Sequence, residues 1–253
     1  MNLLVTDPVQ LVVLLSAAFF AGALNAVAGG GSFLTLPALV FTGVPAVVAN
    51  ATGTVALLPG YLSGAFGFRR DLESPPGMTM QHLAVLSILG GALGAGLLLV
   101  TGETAFRRLV PWLLLAATVL FAVGPWFLHR SGGAVPAGNL RPVLGVLAVT
   151  IYGGYFNGGL GILLLALFGL LGQSSLNAMN GLKNLVSALL TAIAVAVYAW
   201  GGLVLWPQAL LMMVAATAGG YLGARASRRV ALATMRMLIV TIGLVMTVLF
   251  FRG

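Results

Sequence analysis

One lysine stands inside a long apolar stretch of this chain. Lys183 lies within residues 174–199, which contain no aspartate or glutamate. An ionised side chain among apolar residues is costly unless it faces a cavity or a partner of opposite charge. We expect a bound anion to be that partner. The alternative is a lysine with only a structural role, either neutral or with its ammonium group reaching the surface along its own alkyl chain.

Polar side chains accompany this lysine in both halves of the chain. Those at helical spacing around it are Asn177, Asn180, Asn184 and Ser187. A segment of the first half offers Asn50, Thr52 and Thr54, neutral groups that can donate hydrogen bonds. We expect these residues to contribute to an anion site, although polar side chains also join helices to each other in membranes.

Two glycine clusters interrupt the apolar pattern, one in each half. With the residues beside them they are Gly29, Gly30, Gly31 and Ser32, and then Asn157, Gly158 and Gly159. Glycine permits a sharp turn and lets a ligand approach the backbone. A helix that begins after such a turn presents unpaired amide groups and the positive end of its dipole, which suit an anion. We therefore expect both clusters to bind the anion together with Lys183.

The elements that carry these residues are predicted to be membrane helices. Of 253 residues, 60% are apolar and only 6% are charged, too few for a soluble domain. Apolar runs of about 20 residues recur from end to end, and they are continuous where barrel strands would alternate. We expect an all-α integral membrane protein, a polytopic helical bundle in which residues 1–253 form a single membrane domain.

The breaks between apolar runs predict ten elements in the order long, short, long, long, long, twice. They cover about 8–28, 32–42, 45–68, 78–100, 106–128, 142–156, 160–171, 174–199, 206–224 and 231–251. The two short elements would span only about 18 Å as helices, roughly half a bilayer. Each follows a glycine cluster, so we predict Gly-broken half-helices near the midplane.

Matching segments predict a duplication. Residues 90–95 resemble 219–224, and 118–121 resemble 247–250, both 129 positions later. The spacings of Gly90 with Gly94 and of Gly219 with Gly223 are interpreted as helix packing. We predict repeat one at about 8–130 and repeat two at about 139–253.

The arginines predict how the repeats are related. An odd number of crossings per half places eight arginines on one side: Arg69, Arg70, Arg130, Arg141, Arg225, Arg228, Arg229 and Arg236. Only Arg107, Arg108 and Arg252 then lie on the other. The positive-inside rule favours this arrangement. It predicts a multi-pass protein of the cell (inner) membrane with the eight arginines in the cytoplasm and both termini on the outer side. Inverted repeats follow, whether the short elements cross or fold back.

Several classes of site are disfavoured by composition. The chain has no cysteine, and its four acidic residues fall in connections or near the N-terminus, which argues against carboxylate proton relays and metal sites. The net charge of +8 comes from scattered basic residues, so we expect no nucleic-acid partner. We expect no cofactor and no catalytic residue. The partners expected are the lipid bilayer and a small anion.

A resemblance names a substrate class. Residues 25–37, NAVAGGGSFLTLP, and 49–54, ANATGT, resemble the first repeat of the sulfite exporter TauE/SafE family. The resemblance implies a membrane transporter that exports sulfite, sulfoacetate or related anions. The second copy departs from the pattern, because Asn157-Gly158-Gly159-Leu160-Gly161 replaces the triple glycine and Asn180-Gly181-Leu182-Lys183 replaces Thr-Gly-Thr.

The leading hypothesis is a transporter that exposes a midplane anion site alternately to each side. A passive anion channel is the nearest alternative, and a structural membrane subunit is another. An intramembrane hydrolase would need Ser32 as nucleophile with His82 or His129 as base, but both histidines fall at helix ends. The particular anion, the direction of transport, ion coupling and the oligomeric state stay open.

Overall fold

The fold is described by a computed structural model that covers residues 7–27, 29–75, 77–128, 140–226 and 232–252. His129, Arg130, Arg228 and Arg229 lie outside the described residues, as do the side chains of Arg225 and Arg236. Within the described part the helices are α1 (Pro8–Val27), α2 (Ser32–Phe41), α3 (Ala46–Gly67), α4 (Met80–Val100), α5 (Glu103–Leu128), α6 (Leu140–Tyr155), α7 (Leu160–Leu170), α8 (Leu176–Trp200), α9 (Trp206–Ala226) and α10 (Leu232–Arg252).

The predicted fold class is confirmed: the described residues form helices and short connections. By length and composition, α1, α3, α4 and α8 are apolar enough to cross a membrane. Large apolar side chains such as Phe66, Val100 and Trp200 are exposed on the outside of the bundle. Such a surface suits lipid rather than water.

Glycine packing joins α1 to α9. Gly219 lies directly against Phe19, and Gly223 lies against Ala23, so the two helices run side by side in the same direction. Because glycine has no side chain, the two backbones approach closely. Close van der Waals packing of this kind favours helix association in lipid. The interpretation of this glycine spacing as a packing motif is confirmed.

The same arrangement joins α4 to α6. Gly90 lies against Thr150 and Gly94 against Tyr155, and the Thr150 hydroxyl donates to the Leu86 carbonyl oxygen at 3.2 Å. These two helices are therefore also parallel. The second glycine spacing is confirmed as helix packing.

One side of the bundle, which we call face one, carries the connections 42–45, 101–102 and 201–205. The Glu103 carboxylate accepts hydrogen bonds from the amides of Ala46 and Val47 at 2.6 and 3.0 Å. The amide of Leu205 donates to the Thr52 hydroxyl oxygen at 3.1 Å. The start of α3, the start of α5 and the end of α8 therefore lie together.

The opposite side, face two, carries the connections 68–79 and 171–175. A Cβ placed on Gly181, near the start of α8, would lie 3.0 Å from a methyl carbon of Leu72 and 3.3 Å from Cβ of Phe68. The start of α8 thus lies beside the end of α3. Since the end of α8 lies near the start of α3, the two central helices are antiparallel.

The short helices fold back rather than cross. α1 begins at face one because it parallels α9, and α2 returns to face one at the connection 42–45. α6 begins at face two because it parallels α4, and α7 returns to face two at 171–175. Each half therefore contributes one re-entrant hairpin, and the hairpins enter from opposite faces.

The packing of the two halves is symmetrical. Each helix of one half has a counterpart five places along the chain in the other half. When counterparts are exchanged, the α1–α9 contact becomes the α6–α4 contact, and the α3–α9 contact becomes the α8–α4 contact. α3 packs on α8, and α5 on α10, so these pairs correspond to themselves. Together with the opposite directions of α3 and α8, this symmetry supports the predicted inverted repeats.

Candidate anion site

Left-handed backbone turns end the long arm of each hairpin. Gly29 has φ +74°, and its amide bonds to the carbonyl oxygen of Leu24 at 3.2 Å, which closes the end of α1. In the second hairpin Asn157 and Gly159 have φ +59° and +72°. Glycine adopts this conformation without a steric penalty, and asparagine tolerates it better than most residues. The local sequence thus dictates a turn at both clusters.

The tips of the two hairpins touch each other. A Cβ placed on Gly161 would lie 2.9 Å from Cα of Gly29, so only glycine allows this approach. The Ser32 hydroxyl donates to the carbonyl oxygen of Asn157 at 3.5 Å. The starts of α2 and α7 therefore lie next to each other inside the bundle. Two positive helix ends converge there.

Lys183 lies at this junction. A Cβ on Gly161 would be 3.3 Å from Cδ of Lys183, and the lysine side chain is only 1% exposed. Its Nζ has no hydrogen-bond partner among the described residues. The four acidic residues are elsewhere: Asp7, Asp71 and Glu73 are exposed, and Glu103 is bonded to the start of α3. A buried ammonium group without a partner is costly, so Lys183 remains the residue predicted to bind an anion.

Further unpaired donors lie on the same helix and at the tip of the second hairpin. Ser187 and Thr191 follow Lys183 at intervals of one helical turn, and their buried hydroxyl groups have no partner in the described part of the chain. The Tyr61 hydroxyl donates to Oδ1 of Asn157 at 3.1 Å, while Nδ2 of Asn157 is buried without a partner in that same part. Buried polar groups are normally paired, so these three unpaired groups stand out in the described part of the chain.

The remaining predicted residues of the first half have bonds within the protein. Asn50 donates from Nδ2 to the Tyr155 carbonyl oxygen at 3.0 Å, and Thr54 donates to the Asn50 carbonyl oxygen at 2.8 Å. Thr52 holds the amide of Leu205 and thereby joins α3 to the α8–α9 connection. The structure does not bring Thr52 to the lysine.

The backbone of the clusters is buried and packed. Gly30 and Gly31 are buried, and a Cβ on Gly31 would lie 2.8 Å from the Ala21 carbonyl oxygen. The Gly158 carbonyl oxygen accepts a hydrogen bond from the Tyr152 hydroxyl at 2.6 Å. These contacts fix the position of each tip against its own long helix.

The asparagines of α8 form a series from face two inwards. Asn177 is exposed, Asn180 is half-buried and donates to the Leu176 carbonyl oxygen at 3.0 Å, and Asn184 is buried against Gly64. Asn184 is thus the neighbour of Lys183 in the sequence and is buried like it, whereas Asn177 lies at the surface.

Two buried hydroxyl groups on or beside the hairpins were not predicted as site residues. Tyr61 reaches Asn157 from α3, and the buried hydroxyl of Thr35 on α2 packs 2.8 Å from a Cβ placed on Gly53. Tyr61 falls in an apolar run with no periodic signal. Thr35 could have been found, because its polar side chain follows a glycine cluster on a short helix.

The geometry offers little for a hydrolase. Ser32 contacts the backbone of Asn157, while His82 is exposed on face two with its ring nitrogen 3.0 Å from the Thr79 hydroxyl. His129 lies outside the described residues. A serine nucleophile needs a base within hydrogen-bond reach, and His82 does not supply it.

Interrupted helices that meet inside a helical bundle are a recurring feature of membrane transporters. The profile of the sulfite exporter TauE/SafE family matches residues 14–250, and the chain belongs to that family. It is 29% identical over 248 residues to a "probable membrane transporter protein" of Haemophilus influenzae, covering 94% of this chain and 92% of the relative. A relative of the same description from Sinorhizobium sp, ORF9, is 28% identical over 234 residues, covering 88% and 84%. YfcA of Escherichia coli K12 is 27% identical over 240 residues, covering 94% and 87%.

Proposed function

We propose that this transporter exports a small oxyanion, sulfite or a related organosulfonate, by alternating access. The observation that carries the proposal is the buried Lys183 ammonium group at the point where Gly29 and Gly161 meet. An oxyanion would pair with the ammonium group and accept hydrogen bonds from Asn157 and Ser187. The family name supports sulfite as the first substrate to test.

The inverted arrangement supports alternating access. Each face contributes one hairpin, so rocking one half against the other would open the junction to one face while closing it to the other. On the face-one side, Phe106, Tyr155 and Phe156 are buried, and the rings of Phe106 and Tyr155 pack edge to face at 5.7 Å. Towards face two, exposure rises from Asn184 through Asn180 to Asn177. We infer that this conformation belongs to the part of the cycle in which the site communicates with face two.

Orientation follows from charge. Arg69, Arg70 and Arg141 are at face two, and Arg107, Arg108 and Arg252 are at face one. The described arginines are evenly divided, so the proposal that face two is cytoplasmic rests on the sequence, which predicts eight arginines on that side and three on the other. With the cytoplasm negative, outward movement of one negative charge is favoured by about 2.3 kcal/mol per 100 mV. Export then needs no coupling ion.

Flux into and out of proteoliposomes tests this function. Sulfite, thiosulfate, sulfoacetate and sulfate would be compared for wild type, Lys183→Gln and the control Arg69→Gln, which removes one exposed positive charge. We expect saturable flux with counterflow for sulfite or sulfoacetate, a loss of roughly tenfold or more in Lys183→Gln, and normal flux in the control.

Other outcomes would favour the alternatives. Fast flux that does not saturate and shows no counterflow would indicate a passive channel. Full activity of Lys183→Gln would remove the lysine from the site. Absence of flux for every anion with wild-type protein would favour a structural subunit.

A further inference from the structure

A large groove opens at face one, away from the anion site. It lies between α1, α2, α5 and α10 and has a volume of about 1120 Å³. Its walls are mainly apolar and include Val13, Leu34, Phe41, Leu249 and Phe250. Such walls favour an apolar ligand over a small hydrated anion, because removing apolar surface from water is favourable.

Positive charge is concentrated at the rim of the groove. Arg107 and Arg108 line it and are both exposed. The acidic residue that also lines it, Glu103, directs both carboxylate oxygens to the amides of Ala46 and Val47. The carboxylate is therefore occupied by the start of α3, and the two guanidinium groups give the rim its charge.

The two arginines lie nearer to face one than the inner part of the groove. Arg107 lies four residues from the start of α5, about 6 Å along the helix axis from its face-one end, whereas Leu34 lies near the start of α2 at the inner end of the hairpin. Trp112 follows deeper in the same groove, with its ring edge to face on Phe251 at 5.1 Å. Tryptophan is enriched where headgroups meet the hydrocarbon, so the groove below it faces acyl chains.

We propose that this groove binds an anionic phospholipid. The phosphate is held by Arg107 and Arg108, since guanidinium groups bind phosphate oxygens in pairs. An acyl chain fills the inner apolar part and packs on Leu34 of the re-entrant helix α2. The lipid thereby supports the outer side of a hairpin whose tip forms the anion site.

Lipid retention by the intact protein tests the site. Detergent-purified protein would be examined by native mass spectrometry with phosphatidylglycerol and with phosphatidylcholine of the same acyl chains. The variants are Arg107→Gln with Arg108→Gln, the charge-matched control Arg69→Gln with Arg70→Gln, and Leu249→Trp, which obstructs the groove but keeps both arginines. Leu249 is 54% exposed, so this last change is compatible with folding.

We expect wild type and the control pair to retain phosphatidylglycerol at least about tenfold better than phosphatidylcholine. The Arg107 and Arg108 pair should lose this preference, and Leu249→Trp should lose retention of both lipids. An unchanged preference in the Arg107 and Arg108 pair, or an equal loss in the control pair, would overturn the proposal. So would displacement of the lipid by millimolar inorganic phosphate, which would indicate a phosphate site without an acyl-chain groove.

Discussion

The contact between the hairpin tips makes Gly161→Ala a sharp test of the fold. The added methyl carbon would lie 2.9 Å from Cα of Gly29, whereas carbon atoms in contact prefer about 3.5–4.0 Å. The neighbour is backbone and cannot rotate away, so the tips must separate by at least roughly 0.6 Å. Overpacking of this kind costs about 1–3 kcal/mol. Because Cδ of Lys183 is also close, at 3.3 Å, the lysine must shift too.

Gly96→Ala is the matched control. Gly96 lies in α4, and a Cβ there would meet nothing within 4 Å. Alanine also has the higher helix propensity, by about 1 kcal/mol, so the control should be neutral or stabilising. Thermal unfolding in detergent and flux in proteoliposomes would be measured for both variants.

We expect Gly161→Ala to lower the midpoint of unfolding by roughly 2–12 °C, taking about 2–4 °C per kcal/mol for a chain of this size. We also expect it to lose most of its flux, while Gly96→Ala keeps both properties. If Gly161→Ala matches Gly96→Ala in stability and flux, the hairpin tips do not meet as described and the reasoning fails.

Three further changes probe other parts of the account. Glu103→Gln should destabilise the protein by about 0.5–2 kcal/mol in thermal unfolding, because the α3 amides lose a charged acceptor, whereas Glu73→Gln should have no effect. Asn157→Ala should be about 1–2 kcal/mol less stable than Asn157→Gly in the same assay. Both changes remove the side-chain amide, but only glycine adopts the left-handed backbone conformation without a steric penalty. Equal stabilities would contradict that explanation. Since the chain has no cysteine, Glu73→Cys at face two and Gly102→Cys at face one can each be labelled in intact cells with an impermeant maleimide. Only Gly102→Cys should react, because face one is proposed to lie outside. Reaction of both variants, or of Glu73→Cys alone, would contradict the proposed orientation.

Much of the fold could be predicted because the bilayer leaves few alternatives. Continuous apolar runs predicted all ten helices with bounds close to those observed, including the short pair that follows the glycine clusters. The start of α5 was predicted at 106, but the helix begins at Glu103. Hydropathy cannot detect an acidic first turn, which is stabilised by the helix dipole and here also holds the start of α3.

The site was predictable only in part. Lys183 and the glycine clusters stand out, because a charge in an apolar run and paired glycine breaks are rare without a function. Their meeting was expected, but the specific contact between Gly29 and Gly161 could not be predicted, since it joins residues far apart in the chain. The bond from Tyr61 to Asn157 and the role of Thr52 in holding Leu205 depend on the same long-range packing. Such contacts leave no local pattern.

Calorimetric titration of sulfite into purified protein measures whether the buried ammonium group of Lys183 binds the transported anion. Wild type and Lys183→Gln would be compared at equal folded fraction. A charged hydrogen bond contributes about 1.5–3 kcal/mol, so we predict a Kd that rises by roughly tenfold or more in the variant. An unchanged Kd for sulfite in folded Lys183→Gln would contradict the account.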